Sequence, residues 1–254
     1  YDDMPFILAP NFWAKLSPKK NHKVLLERAH GDGIKIHTNS PEAFEEVFWN
    51  TFDKDLSFQK DLFIKFISLI LKKNNKTRYL SKNNQNIRRL DLISKFCPDS
   101  KILISFRDPL QQSFSLFSQH KKFKILQKKD SFTRDYMKLI GHSEFGLDYE
   151  MINTNNLQYS NANNFNHWLE QWYLTYKSVL DFSEKHQMCY LISYELLCSE
   201  EKVWLNLKDL LDIQEESKFI FKENRKDIEL IFDDKLYLKC FKLYELLLVK
   251  SFSR

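Results

Sequence analysis

The sequence predicts an α/β fold in which a central, mainly parallel sheet is flanked by helices. The run "KILISF" is almost continuously apolar and has the length of a strand, as is typical of a central parallel strand covered on both faces. Strand-type and helix-type segments alternate over residues 77–126, which indicates a βαβα unit. The chain has 254 residues and is 43% hydrophobic, enough for a substantial core, so we expect one domain over residues 1–254.

The part of the chain before "KILISF" is predicted to be mainly helical. Ser40 as N-cap and Pro41 at the first helical position predict a helix over residues 41–52. A second helix is predicted over residues 58–73, where apolar residues recur at helical spacing up to the polar "LKKNNK". The stretch "TRYLS", residues 77–81, is a short strand candidate, and "NIRRLDLISKF" predicts a helix that ends at "CPD".

After "KILISF", Pro109 opens a helix, and "MCYLISY" is predicted to be a second core strand. Between them, the polar, Asn-rich residues 142–164 are predicted to form a surface loop or lid. Further helices are predicted over residues 131–141, along "FNHWLEQWYLTYKSVLDFSEKH", and over residues 200–211 and 226–249. Four aromatic residues of the long helix are expected to pack it, the alternative being a sugar-stacking role for one of them: Trp168, Trp172, Tyr173 and Tyr176.

Composition and charge limit the classes of partner and compartment. A net charge of +5 attracts anions in general, but lysines scattered over loops without interleaved aromatic residues do not indicate a nucleic-acid partner. No apolar run is long enough to span a membrane. The four cysteines form no CxxC pair and have no His at metal-ligand spacing, so no metal site is expected. Buried free thiols favour a reducing, cytoplasmic location, and a disulfide between two of them is the alternative.

The stretch "RDPLQQSFS" places Arg107 at the exit of the predicted strand and Ser115 inside the following helix. Because Pro109 fixes the helix start, Ser115 lies about 9 Å along the helix axis, and its side chain leans back toward the strand. A guanidinium, helix N-terminal N–H groups and a hydroxyl are then available to one phosphate. In the alternative interpretation, Arg107 pairs with Asp108 or a surface acid and Ser115 is an ordinary helix residue.

This passage resembles the sulfotransferases that use 3′-phosphoadenosine 5′-phosphosulfate (PAPS). In that family a strand ends in Arg, often followed by Asp-Pro, and a Ser eight residues later binds the 3′-phosphate of PAPS with the Arg. Arg107 and Ser115 match both the residue types and the spacing. The resemblance implies that these two residues bind the cofactor and that the fold is the P-loop-NTPase-like three-layer arrangement.

The resemblance extends to both sides of Arg107. "YLSKNNQ" resembles the family's lysine after a short strand, which implies that Lys82 lies near the transferred sulfuryl group. "CYLISYELL" resembles the family's strand ending in Tyr-Glu, which implies that Tyr194 reaches the adenine edge. Otherwise Lys82 is a solvated strand-end lysine and Tyr194 a core-edge tyrosine. "HGDG" and "SPEAFEEVFW" look like a bacterial branch of the family, and the likeness covers roughly residues 30–213.

The sequence departs from the family at the 5′-phosphosulfate loop. That glycine-containing loop cradles the phosphosulfate with its backbone N–H groups. "HGDG" has no preceding core strand, no Lys or Arg within the turn and no following Ser or Thr pair. We therefore expect the loop to precede Tyr1, and mass spectrometry of the intact protein against its coding sequence tests this expectation.

The catalytic base is a second departure, because Asn84 stands where many family members have a base-forming His. Asn cannot take up a proton near neutral pH, so another residue must do so. The candidates before Lys82 are Glu27, His30, His37, Glu45 and Glu46, with His120 and His142 less favoured. We favour His30, whose ring lies beside two flexible glycines and whose ordinary pKa suits proton acceptance, with Glu27 nearby. A turn-capping histidine is the alternative.

The resemblance implies sulfuryl transfer from PAPS to an acceptor hydroxyl of a small molecule or a carbohydrate, a glycan being mildly favoured, without a metal. Arg107, Ser115 and Tyr194 would bind the nucleotide, and Lys82 would stabilise charge on the sulfuryl group. A P-loop-type kinase and a non-catalytic nucleotide-binding protein with the same fold are the alternatives. Binding of ATP rather than 3′,5′-adenosine bisphosphate would indicate the kinase. Nucleotide binding without transfer would indicate the non-catalytic protein.

Overall fold

The structure, a computed structural model, describes residues 25–28, 33, 35–36, 44–52, 56–154, 157–214 and 220–252. Its strands are β1 (Leu26–Glu27), β2 (Lys35–Ile36), β3 (Ile102–Phe106) and β4 (Cys189–Ser193). Its helices are α1 (Glu45–Phe52), α2 (Leu56–Asn74), a 3-10 helix (Asn84–Arg89), α3 (Leu90–Phe96), α4 (Pro109–Lys129), α5 (Ser131–Leu139), α6 (Phe165–Lys185), α7 (Tyr194–Ser199), α8 (Glu201–Leu211) and α9 (Asp234–Val249). This mixture of helices with a short parallel sheet agrees with the predicted α/β class.

The chain divides into two compact units. The first comprises residues 1–86 and 122–150, and the second comprises residues 87–121 and 151–254. Residues 109–121 of helix α4 belong to the second unit, and residues 122–129 belong to the first.

The second unit is built on the parallel pair β3 and β4. The pairing runs from Ile102 opposite Cys189 to Phe106 opposite Ser193. Phe106, almost fully buried, packs edge-to-face on Tyr176 of α6 and Tyr244 of α9, with ring centroids 6.4 and 5.9 Å away. Both core strands predicted from apolar runs are therefore confirmed, and they are parallel as expected.

Three of the four aromatic residues that were predicted to pack α6 lie in the core, and the fourth, Tyr173, is only partly buried. Trp168, Trp172 and Tyr176 are each at most 5% exposed. The Tyr176 hydroxyl donates to the Ser105 carbonyl of β3 at 2.8 Å, and burial raises the pKa of Tyr176 to about 12. Tyr176 therefore stays neutral and ties α6 to the sheet.

The first unit is held by an aromatic cluster between α1 and α2. Phe48 and Trp49 of α1 pack on Phe63 of α2 with ring centroids 5.4 and 4.5 Å apart, and Phe66 lies 5.1 Å from Phe48. All four rings are less than 9% exposed, so this cluster fixes α1, which carries Glu45 and Glu46, on α2. The helix predicted over residues 58–73 is confirmed, and that over 41–52 is confirmed from Glu45 onward.

Two predicted elements differ from the structure. Residues 77–83 form no strand, because side chains rather than a backbone ladder hold this segment: Tyr79 donates to Glu45 at 2.8 Å. The last helix begins at Asp234 rather than at residue 226. Asp233 caps it by accepting from two backbone N–H groups, and residues 220–233 before it have no helical structure.

The four cysteines are free, as predicted. Burial raises the pKa of Cys189 to about 11 and that of Cys240 to about 12, so both thiols stay protonated and are poor nucleophiles. Within the described part of the chain, the helices are all too short or too polar to cross a bilayer.

Gly146 is expected to tolerate no side chain. It has φ +94°, and an added Cβ would overlap the amide of Gln127. Gln127 is buried and cannot move aside easily, because it accepts from Leu147 N at 2.6 Å and donates to Met137 Sδ at 3.2 Å. We expect Gly146→Ala to lower the free energy of unfolding by about 1–3 kcal/mol, measured by chemical denaturation.

The matched control is Gly33→Ala, where φ is +80° and none of the described residues has an atom within 4 Å of the added Cβ, its two chain neighbours apart. That variant has the backbone strain without the overlap, so its loss of stability should be smaller. Equal losses in the two variants would contradict the packing argument.

Candidate functional site

The parallel register of β3 and β4 brings Arg107 and Tyr194 together. Phe106 pairs with Ser193, so the next residue of each strand leaves the ladder at the same rung. The Arg107 guanidinium carbon lies 4.6 Å from the centroid of the Tyr194 ring, a cation–π arrangement. Two of the three predicted cofactor residues are thus neighbours.

The Arg107 guanidinium contacts neutral groups among the described residues. One terminal nitrogen donates to the Asn224 carbonyl and lies 3.5 Å from Gln111 Oε1. Its Nε atom is buried and has no hydrogen-bond acceptor in the described part of the chain. A buried guanidinium N–H without an acceptor is costly, so this edge of Arg107 suits an anionic oxygen. The Arg107 side chain does not pair with Asp108, which was the alternative interpretation of the sequence.

Asp108 instead caps α4. Its carboxylate accepts from Gln111 N at 3.0 Å, and its own backbone N–H donates to Glu195 Oε1 at 2.9 Å. Of the helix N-terminal N–H groups that we expected to be available to a phosphate, that of Gln111 is therefore occupied. Glu195, the second residue of the "YE" pair, accepts the hydrogen bond from Asp108 N and thereby fixes the chain where it leaves β3.

Ser115, the third predicted cofactor residue, lies on α4 four residues after Gln111, on the same face of the helix, and is half-buried. Its neighbour in sequence, Ser113, faces the interior: it is fully buried and donates to the Trp168 carbonyl at 3.2 Å. The structure thus separates the two serines by role, since Ser113 supports packing while Ser115 is on the side of Gln111.

A segment that sequence analysis did not single out passes across Arg107 and Tyr194. We call residues 222–226 the crossing segment. The Tyr194 hydroxyl donates to Lys222 O at 3.1 Å and accepts from Asn224 N at 2.8 Å. Burial is the main cause that raises the pKa of Tyr194, so its hydroxyl stays protonated and can donate. The basic pair Arg225 and Lys226 is the sequence signal that could have drawn attention to this segment.

The first unit contains a pocket around Lys82. Its walls come from α1, from the segment that leads into the 3-10 helix, and from the loop after α5: Glu45, Glu46, Lys82, Asn83, Asn84, His142 and Glu144. Lys82 is exposed, and its ammonium donates to Asn84 Oδ1 at 3.2 Å. Asn84, which stands where the resemblance would place a histidine, is thus a hydrogen-bond partner of the lysine. The pocket combines a cation with carboxylates and an imidazole, which are groups suited to proton transfer and charge stabilisation.

The two buried carboxylates of this pocket differ in their partners. Glu45 accepts from Tyr79, from Asn86 at 2.8 Å and from Trp49 at 3.2 Å, so it is held by three neutral donors. Glu46 accepts from Asn83 Nδ2 at 2.7 Å. The three donors favour a structural role for Glu45, and Glu46 is the second buried carboxylate of the pocket.

A glycine brings the loop after α5 close to Glu46. A Cβ at Gly141 would lie 2.8 Å from Glu46 Cγ, closer than side-chain carbons approach. The absence of a side chain therefore lets His142, the next residue, line the same pocket as Glu46. The close approach of Gly141 to Glu46 thus places His142, a candidate less favoured from the sequence, in the pocket lining.

The two favoured base candidates have different outcomes. Glu27 is exposed on the β1–β2 hairpin, where Oε1 accepts from Gly33 N at 2.8 Å. His30 lies outside the described residues, as do His37, Ser40 and Pro41.

The model of the sulfotransferase family matches residues 8–213 of this chain. The matched range spans most of the chain and includes Lys82, Arg107, Ser115 and Tyr194, so the chain belongs to the sulfotransferase family. Searches of the curated proteins and of the solved structures found no match. Family membership supports a transferase that moves a sulfuryl group. The crossing segment and α9 follow the matched range.

Proposed function

We propose that this protein transfers the sulfuryl group of PAPS to a hydroxyl of a small-molecule or carbohydrate acceptor. The observation that carries the proposal is the buried Arg107 Nε, which has no acceptor among the described residues and lies beside the Tyr194 ring at the exit of a parallel strand pair. A guanidinium edge in such a place binds a phosphate oxygen well, and the family's cofactor carries a 3′-phosphate. These residues therefore fit PAPS.

In this proposal Arg107 and Ser115 bind the 3′-phosphate, and Tyr194 contributes to the nucleotide site. Lys82 stabilises the negative charge that develops as the sulfuryl group leaves the phosphate. PAPS supplies the activated sulfuryl group, and the protein supplies orientation, charge stabilisation and a base for the acceptor hydroxyl. The free thiols favour a reducing compartment such as the cytoplasm, and the motif likeness favours a bacterial member of the family.

The experiment uses the full-length protein and compares nucleotides by calorimetry. We expect binding of 3′,5′-adenosine bisphosphate, weaker binding of 5′-AMP, which lacks the 3′-phosphate, and no preference for ATP. Radiolabelled PAPS with a panel of hydroxyl acceptors then tests transfer. Preferential ATP binding would indicate a kinase, and bisphosphate binding without transfer to any acceptor would indicate a non-catalytic protein.

The base is tested by single variants in the transfer assay. The sequence favours His30 and Glu27, and the pocket around Lys82 favours Glu46. We expect Glu46→Gln to lower kcat by about 10²- to 10⁴-fold, the usual contribution of a positioned base, without weakening bisphosphate binding. The matched control is Glu144→Gln, another carboxylate of the same pocket.

The alternatives predict a different pattern. A loss of that size in His30→Ala or Glu27→Gln, with Glu46→Gln near the wild-type rate, would assign the base to the hairpin region and make Glu46 a pocket wall.

A further inference from the structure

We propose that Gln111 is a positioning residue that holds the crossing segment over Arg107 and thereby orients the guanidinium for the 3′-phosphate. The inference rests on the proposed function for its ligand, but the contact itself is independent of any ligand. It assigns a role to a residue of α4 that is neither a predicted phosphate ligand nor part of the pocket around Lys82.

The Gln111 side chain pairs with both polar groups of one residue of the crossing segment. Its Oε1 accepts from Lys226 N at 2.9 Å, and its Nε2 donates to Lys226 O at 2.8 Å. This double hydrogen bond resembles one rung of a β-ladder, with a side-chain amide in place of a strand. Gln111 is 8% exposed, so water cannot readily replace it.

The segment held by Gln111 fixes Arg107 in turn. Asn224 O accepts from a terminal nitrogen of Arg107, while Asn224 N donates to the Tyr194 hydroxyl. Tyr194 covers one face of the guanidinium at 4.6 Å. One edge and one face of Arg107 are thus set by the segment and its partner, and the buried Nε edge is the one without an acceptor.

Loss of the Gln111 amide would release the crossing segment at Lys226. Residues 220–233 have no helical or strand structure of their own, so their position depends on contacts such as this one. Without the amide, Lys226 loses a partner for its N–H and its C=O, and the segment can shift away from Asn224's contact with Arg107. Arg107 would then adopt several orientations, and only some of them can bind the phosphate. The affinity for the phosphate would therefore fall.

The test is Gln111→Ala in the full-length protein, with two readouts. The rate of hydrogen exchange at the amides of residues 222–226 is expected to rise by about tenfold or more. The two buried hydrogen bonds to Gln111 stabilise the closed position of the segment by roughly that factor. The Kd of 3′,5′-adenosine bisphosphate is expected to rise about tenfold while that of 5′-AMP stays unchanged, because the effect passes through the 3′-phosphate. A general loss of folding would weaken both nucleotides equally.

Two further variants sharpen the result. Gln111→Glu keeps the acceptor, loses the donor to Lys226 O and places a carboxylate near Arg107, so it should weaken the bisphosphate more than alanine does. Gln119→Ala removes the same side chain two turns further along α4 and should change neither readout.

Unchanged exchange in Gln111→Ala would overturn the inference, and so would faster exchange with an unchanged bisphosphate Kd. A wild-type protein that binds no bisphosphate would contradict the proposed function as well, and the wild-type titration alone identifies that case.

Discussion

Replacing Arg107 with methionine is expected to weaken the binding of 3′,5′-adenosine bisphosphate by about 100-fold or more. A buried charge pair that loses one partner costs about 3–5 kcal/mol, and each 1.4 kcal/mol corresponds to a factor of ten in Kd. Methionine keeps much of the apolar stem but cannot supply the Nε–H that is buried without an acceptor. Calorimetry of the wild-type protein and of Arg107→Met with the bisphosphate measures the effect.

Two comparisons make the Arg107 result specific. Arg107→Lys keeps the charge but loses the planar fork and the contact with the Tyr194 ring, so about tenfold weaker binding is expected. Arg134→Met removes an arginine that pairs with Asp148 on the surface and should leave nucleotide affinity unchanged. Bisphosphate affinity that survives Arg107→Met would place the phosphate elsewhere.

Lys82→Met is expected to lower kcat for sulfuryl transfer by about 10²- to 10³-fold while changing bisphosphate affinity little. A preorganised group that stabilises charge in the transition state contributes about that much, and the bisphosphate lacks the sulfuryl group. The Lys82 ammonium has a defined position, since it donates to Asn84 Oδ1 at 3.2 Å beside Glu46 and His142. Single-turnover kinetics with radiolabelled PAPS separates this chemical step from binding.

The control for Lys82 is Lys76→Met, an exposed lysine six residues earlier in the chain. It changes the net charge by the same amount, so a shared rate loss would indicate general electrostatics. A wild-type kcat in Lys82→Met would remove this lysine from the mechanism.

The strand-exit residues could be predicted because the signal is local. A continuous apolar run marks a buried strand, and Arg107 and Tyr194 each follow such a run directly. Two strands in register bring their exits together without further information, which is what the β3–β4 pair does. The helices with clear apolar spacing were predictable for the same reason.

The crossing segment could not be predicted, because its contacts are not periodic. Lys226 is held by a side chain 115 residues earlier in the chain, and no pattern of hydrophobic spacing encodes such a pair. The apolar residues of 227–232 continue the spacing of a helix in the sequence, but α9 begins only after its N-cap, Asp233. The pocket around Lys82 could be predicted in part, since Glu45, Glu46 and His142 were among the candidates, but no sequence spacing shows that they line one pocket with Lys82.

A one-residue insertion in β3 alone would turn Arg107 to the opposite face of the sheet, because successive side chains of a strand alternate in direction. The same insertion made in β4 at the matching position would restore the adjacency, since Arg107 and Tyr194 leave the ladder at one rung. The two strands therefore have to change length together. The arrangement therefore tolerates a change in strand length only when β3 and β4 change by the same number of residues.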